Sequence, residues 1–328
     1  MLIKFFKQSY LQQFLALFAI QLLLWGKYLI APHGLDLHSR IHPIYGLVID
    51  LIGENPWTAT IIAFCLLALA AILINIIMIR NELVPNNSLI PALIFVVIMS
   101  QGPVLLTLYP ELIAIIFLLL AVDRLMRCYG ESDIIVINNI LSASIFISLA
   151  AFSYLPALWF ILIIWISMFI YRQLSLRIWA ISVIGISLPL MYLASYNYIF
   201  DKPKEIYSEL LEYFVFIKAI TMDYPDPTYV IWGLIIIILI ISVFYALTHL
   251  NEWNVNIRRK IIVILWLMII TIPVSIYSQE DFLANQTFLF VPVTMFISSF
   301  LGNLKIKKWQ ELVFLLFVIL ILFNNHLY

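Results

Sequence analysis

Three histidines, one arginine and three carboxylates crowd into HGLDLHSRIHPIYGLVIDLIGENP, residues 33–56, between two of the most apolar runs of the chain. In a chain only 11% charged, such density raises the question of chemistry. Asp36 follows the first apolar run closely and has the type and place of a general base toward an acceptor hydroxyl. Arg40 carries the planar fork that suits a phosphate. His38 and His42 are four apart, a spacing that on a helix would present two imidazoles to a metal. Pro43 disfavours helical geometry at His42, so the reading here is solvated or headgroup-contacting histidines, with no metal or cofactor. The plainer reading of Asp36 and Arg40 is an interfacial acid and base held by water and headgroups. Glu111, in TLYPELIAIIFLLL, is the other candidate. It follows Pro110 inside an apolar run, where a carboxylate is costly and normally faces a cavity or a partner. The alternative is stabilisation of a helix N-terminus after the proline.

These residues must be positioned by membrane helices. The 328-residue chain is 64% hydrophobic with a mean hydropathy of +1.07. Soluble domains have about 45–50% apolar residues, so lipid has to be the solvent for much of this surface. Eighteen basic and eighteen acidic residues cancel, and nothing in that balance points to nucleic acid. The two cysteines, Cys65 and Cys128, form no metal or redox motif. No P-loop, GxSxG, HExxH or CxxC is present, and nine glycines leave little for a nucleotide-cradling loop. The N-terminal apolar run lacks a small-residue cleavage site and is expected to be a retained first span.

The fold class expected is an all-α polytopic bundle, one integral membrane domain over 1–328. Eleven spans are read at 11–31, 57–79, 88–101, 103–122, 137–153, 155–171, 178–199, 229–250, 260–277, 287–303 and 310–325. The third is short, ends at Gly102-Pro103, and has the pattern of a half-helix or re-entrant piece. With the N-terminus inside and the C-terminus outside, thirteen of the eighteen Lys and Arg residues fall inside, as the positive-inside rule requires. Only Lys27, Arg40, Lys202, Lys204 and Lys218 fall outside. Twelve of the eighteen carboxylates fall outside, which the rule does not demand. Two outer segments are long enough to lie along the interface, 33–56 and 201–228. The first should hold a helix starting at Pro43. The second should hold an amphipathic helix with Ile206, Leu210, Tyr213, Phe214 and Ile217 on one face. Gln21, in the first span, is expected to bond to a neighbouring helix. Asp123, Arg124 and Arg127 are read as the snorkelling inner end of a span.

The stretches NNSLIPALIFVVIMSQGPVLLTLYPELIAIIFLLLAVDRLM and ASIFISLAAFSYLPALWFILIIWISMFIYR, within residues 86–172, resemble an uncharacterised family of multi-pass bacterial inner-membrane proteins. More remotely, the layout is similar to that of integral-membrane glycosyltransferases that use polyprenyl-phosphate sugars. Those have a first span, an outer loop with an acidic catalytic residue, an interfacial helix, and then short paired spans. The resemblance implies a polyprenyl-phosphate lipid as partner and places Asp36 at the acidic position. GLDLHS departs from their paired acidic motif, having one carboxylate. Three functions are therefore weighed: an outer-face transferase, a non-enzymatic envelope scaffold or assembly protein, and a transporter. Charged residues are nearly absent from mid-membrane positions, where pumps keep their relays, which counts against the third.

Overall fold

The structure, a computed structural model, describes residues 2–32, 42–53, 55–102, 104–173, 175–199, 226–276, 286–303 and 308–327. Among these, every regular element is helical. In chain order they are α1 (Leu2–Phe5), α2 (Leu11–Ile30), α3 (Pro43–Ile52), α4 (Pro56–Arg80), α5 (Ile90–Met99), α6 (Pro110–Met126) and α7 (Asp133–Ser153). Then follow α8 (Ile161–Tyr171), α9 (Leu176–Ile199), α10 (Asp226–Thr248), α11 (Val255–Ile276), α12 (Thr287–Asn303) and α13 (Lys308–Leu327). Asp36, His38, Arg40 and the amphipathic segment read at 201–228, save its last three residues, lie outside the described residues.

Local chemistry explains where several helices start and stop. Pro43, Pro56 and Pro110 each occupy the first position of a helix, where the missing N–H costs nothing and the fixed φ is already helical. The Asn55 side chain accepts from the Trp57 N–H and caps α4. Gly53, with φ of 74°, ends α3 in the left-handed conformation that glycine adopts without strain.

Five helices are long and apolar enough to cross a membrane: Leu11–Ile30, Pro56–Arg80, Asp133–Ser153, Leu176–Ser195 and Pro227–Thr248. Their outer faces are apolar and uncovered; only 17% of the apolar window of Leu176–Ser195 and 22% of that of Pro227–Thr248 is buried within the protein. Two shorter apolar helices, α5 and α12, fill the centre. α5 is the innermost, with all ten of its residues buried and α4 and α12 packed against it.

Side-chain contacts sort the helix ends into two groups. At one end, Lys7 donates to the Gly302 carbonyl at 3.3 Å, and Arg80 reaches both oxygens of Asp123 at 3.2 Å. Arg127 pairs with the same carboxylate, and Arg259 lies over the Tyr129 ring, 4.6 Å from its centroid. The N–H of Leu89, just before α5, donates to the Phe6 carbonyl at this end. At the opposite end, the Trp25 indole donates to the Ser100 hydroxyl at 3.2 Å, and Thr228 donates to Asn324 at 3.1 Å. α5 therefore runs from one group to the other.

Ten residues rise about 15 Å, half of a hydrocarbon core of about 30 Å. After α5 the chain continues through Ser100–Tyr109, which contains a 3-10 turn at Val104–Leu106. The fourth apolar run, read from the sequence as a helix from 103, becomes helical only at Pro110. Irregular backbone at such depth is tolerated only where protein covers it. Here it is covered: Ser100, Gln101, Leu105, Leu106 and Leu108 are each at most 1% exposed. Three of its backbone groups find partners on distant helices. The Gly102 N–H donates to Asn325 Oδ1 at 2.8 Å, Asn325 Nδ2 donates to the Ser100 carbonyl at 2.9 Å, and the Tyr45 hydroxyl donates to the Leu108 carbonyl at 3.1 Å.

Candidate functional site

Glu111 is the second residue of α6 and is 0% exposed. The carboxylate is wholly withdrawn from solvent, and it sits in the first turn, where the free N–H groups and the helix dipole favour negative charge. Tyr109 precedes α6 and lies within electrostatic reach of Glu111. Thr287, the first residue of α12, donates to the Tyr109 hydroxyl at 3.4 Å. The next residue, Phe288, packs its ring 5.5 Å from that of Tyr154, and Tyr154 in turn lies 5.6 Å from the His42 ring.

His42 is 3% exposed and stands just before α3 with φ −75° and ψ 122°. Its backbone is extended, as a residue preceding proline should be. The aromatic contacts through Tyr154 and Phe288 thus link it to the Tyr109–Glu111 corner. Two candidates from opposite sides of the sequence reading, His42 and Glu111, belong to one neighbourhood at the end of the bundle away from the arginines. Asp36, His38 and Arg40 lie in the residues leading up to His42 and are outside the described set.

Two groups at this end of the bundle were not singled out from the sequence. Gln101 is 1% exposed, and among the described residues neither atom of its side-chain amide has a hydrogen-bond partner. Asn324 and Asn325 close the same end from α13, and Lys27 donates to the Asn325 carbonyl at 3.4 Å. The available signal was the pair of adjacent amides in LILFNNHLY, which an apolar terminal run does not need. Gln21, by contrast, donates to the Phe64 carbonyl of α4 at 2.8 Å, the kind of interhelical bond expected of it.

Among the described residues no group of three or more His, Cys, Asp or Glu side chains is placed to hold a metal ion. Asp123, Arg124 and Arg127 are at the basic end. Asp123 is 7% exposed and takes Arg80 and Arg127 together, so the carboxylate joins α4 to α6 across their ends. No family model, no curated protein and no solved structure matches the chain.

Proposed function

We propose that the chain is a multi-pass protein of a bacterial inner membrane that transfers a glycosyl or other lipid-linked group at the outer face. In this reading the protein crosses eleven times, with the N-terminus inside, and the end carrying Glu111 faces outward. The alternation of helix ends between the basic group and the amide group supports the odd number of crossings. Bacterial inner leaflets meet the basic end under the positive-inside rule.

The observation that carries the transferase reading is the wholly buried Glu111, joined through Tyr109, Thr287, Phe288 and Tyr154 to His42. A buried carboxylate near the mouth of an outer loop rich in His, Arg and Asp has the composition of a site for a charged, lipid-anchored donor. α3 adds to it: Leu47 and Leu51 are 63% and 86% exposed, an apolar edge suited to lie among acyl chains at the interface. In the proposed reaction Asp36 takes the proton of an acceptor hydroxyl. The acceptor oxygen bonds to the donor carbon, and the bond from that carbon to the phosphate oxygen breaks, leaving polyprenyl phosphate. In the same proposal Arg40, with His38 and His42, holds the phosphate, and Glu111 is the buried carboxylate beside them.

Complementation of a deletion strain tests this, backed by release of polyprenyl phosphate from a radiolabelled polyprenyl-phosphate sugar in proteoliposomes. Asp36→Asn keeps the shape and removes the base, so turnover should fall by about 100-fold or more with the membrane level unchanged. Arg40→Lys should weaken donor binding, because a point charge cannot replace a bidentate fork. Glu111→Gln should impair function more than Glu54→Gln. Full complementation by Asp36→Asn combined with Arg40→Ala would overturn the transferase reading in favour of a scaffold.

A further inference from the structure

The ends of α4 and α6 bring three guanidinium groups to one carboxylate. Arg80, the last residue of α4, reaches both oxygens of Asp123 at 3.2 Å through Nη1 alone. Arg127, just after α6, reaches the same carboxylate through Nη2 alone. Arg124 lies within electrostatic reach of it. The Asp123 side chain is 10% exposed, whereas those of Arg80 and Arg127 are 47% and 36% exposed. The carboxylate is therefore the floor of the cluster, and the arginines form its open side.

Other acids do not balance these arginines. Among the described residues, Asp123 is the one carboxylate within ion-pair distance of Arg80 and Arg127, and Arg124 pairs with none. The acids nearest in sequence act elsewhere, Glu82 on the Lys260 ammonium and Glu131 on the Cys128 thiol. The C-terminal dipoles of α4 and α6 offset the excess by about half a charge each and leave it positive. Donors are in excess too, because a guanidinium carries more N–H groups than a shared carboxylate can use. The Nε and Nη2 of Arg80 meet no acceptor among the described residues. That edge is the planar fork that takes two oxygens of an oxyanion. The Nε of Arg127 is buried and likewise has no acceptor there.

We propose that the cluster of Arg80, Arg124 and Arg127 binds a phosphate group, received on the open edge of Arg80, with Arg127 and Arg124 supplying charge. Phosphate fits both features: a monoester carries a charge of about −1.5 to −2 at neutral pH, and its oxygens accept a bidentate fork. The proposal does not rest on the transferase reading. A soluble molecule or a lipid head can carry the phosphate group, and the test has an arm for each. In the first, radiolabelled inorganic phosphate is dialysed to equilibrium against the full-length protein in an uncharged detergent, with chloride holding the ionic strength fixed. In the second, thermal unfolding is followed in phosphatidylcholine nanodiscs with and without phosphatidic acid. Saturable uptake in the first arm, or a raised midpoint in the second, supports the site and names the source. Arg124→Gln removes a charge that no carboxylate of the described residues pairs with, so the fold should persist and binding should weaken by about tenfold. Arg80→Lys keeps the charge and loses the fork, and should weaken binding several-fold. Unfolding of each variant without ligand separates lost binding from a lost fold, and Arg124→Gln decides the matter if Arg80→Lys is unstable. No binding in either arm would overturn the proposal, and so would binding that Arg124→Gln leaves unchanged. An equal rise in midpoint with oleate in place of phosphatidic acid, with no uptake of phosphate, would overturn it as well, since charge alone would then suffice.

Discussion

Asn325 supports the irregular backbone that follows α5. Its amide serves the Gly102 N–H and the Ser100 carbonyl, and it also donates to the Leu24 carbonyl of α2 at 3.4 Å. Those backbone groups are buried and have lost their helical partners, so removing the amide leaves them unsatisfied. Asn325→Leu should therefore lower stability by about 1–3 kcal/mol, read by thermal unfolding in detergent; an unchanged midpoint would mean that the loop is satisfied otherwise. Cys128 makes the opposite case, a reactive type rendered inert. It is 2% exposed, and burial, aided by the negative charge of Glu131, pushes its thiol up to about 12. The raised pKa keeps it protonated through neutral pH, and thiolate is the reacting form. Maleimide at pH 8 should leave Cys128 unlabelled in the folded protein and label it after denaturation in SDS. Rapid labelling of the folded form would contradict this environment.

At the scale of elements, α5 and the segment after it show how irregular backbone can follow a short buried helix. The loop is covered by protein, and its backbone bonds are borrowed from α3 and α13. The contact between α7 and α9 depends on a different device. A Cβ on Gly185 would fall 2.6 Å from Ser144 Cβ and 3.1 Å from the Leu141 carbonyl. No rotamer relieves a clash with a Cβ, so the helices would have to part. The Ser148 hydroxyl, which donates to the Ile186 carbonyl at 3.1 Å, would lose its partner in the process. Gly185→Ala should cost about 1–3 kcal/mol by overpacking. The stacked rings of Trp165 and Trp179, 4.8 Å apart, offer a local readout, because separation of α9 should change their near-ultraviolet circular dichroism. An alanine that leaves both stability and that signal untouched would show that the two backbones are not in such close contact.

For the whole molecule, the arrangement of charges is the main constraint. Arg80, Arg127 and Arg259 gather at one end with Lys7, and the amides of Asn324 and Asn325 gather at the other with His42 and Glu111. Reporter fusions at Glu131 and at Tyr328 should therefore report opposite sides of the membrane, Glu131 inside and Tyr328 outside. The same side for both would mean an even number of crossings between Glu131 and Tyr328, and one of the helices after Glu131 would have to be reassigned.

The amino-acid sequence by itself determined the class of the molecule, because no soluble fold could cover a chain that is 64% hydrophobic. It also marked the start of α3 through Pro43, since proline acts on the backbone locally, whereas α6, read from 103, starts only at Pro110. The burial of Glu111 was legible too, from the apolar run around it. What only the tertiary structure decided is which helices meet. α4, α5 and α12 are apolar nearly all round, so no face of any of them announces its neighbour, and hydropathy cannot distinguish burial against lipid from burial against protein. Those partnerships are set by small residues such as Gly185 and by amides such as Asn325, whose partner Gly102 lies 223 residues away. The link from His42 to Glu111 was likewise beyond reach of the sequence. It passes through Tyr154, Phe288, Thr287 and Tyr109, whose spacing means nothing until four helix ends are brought to the same corner.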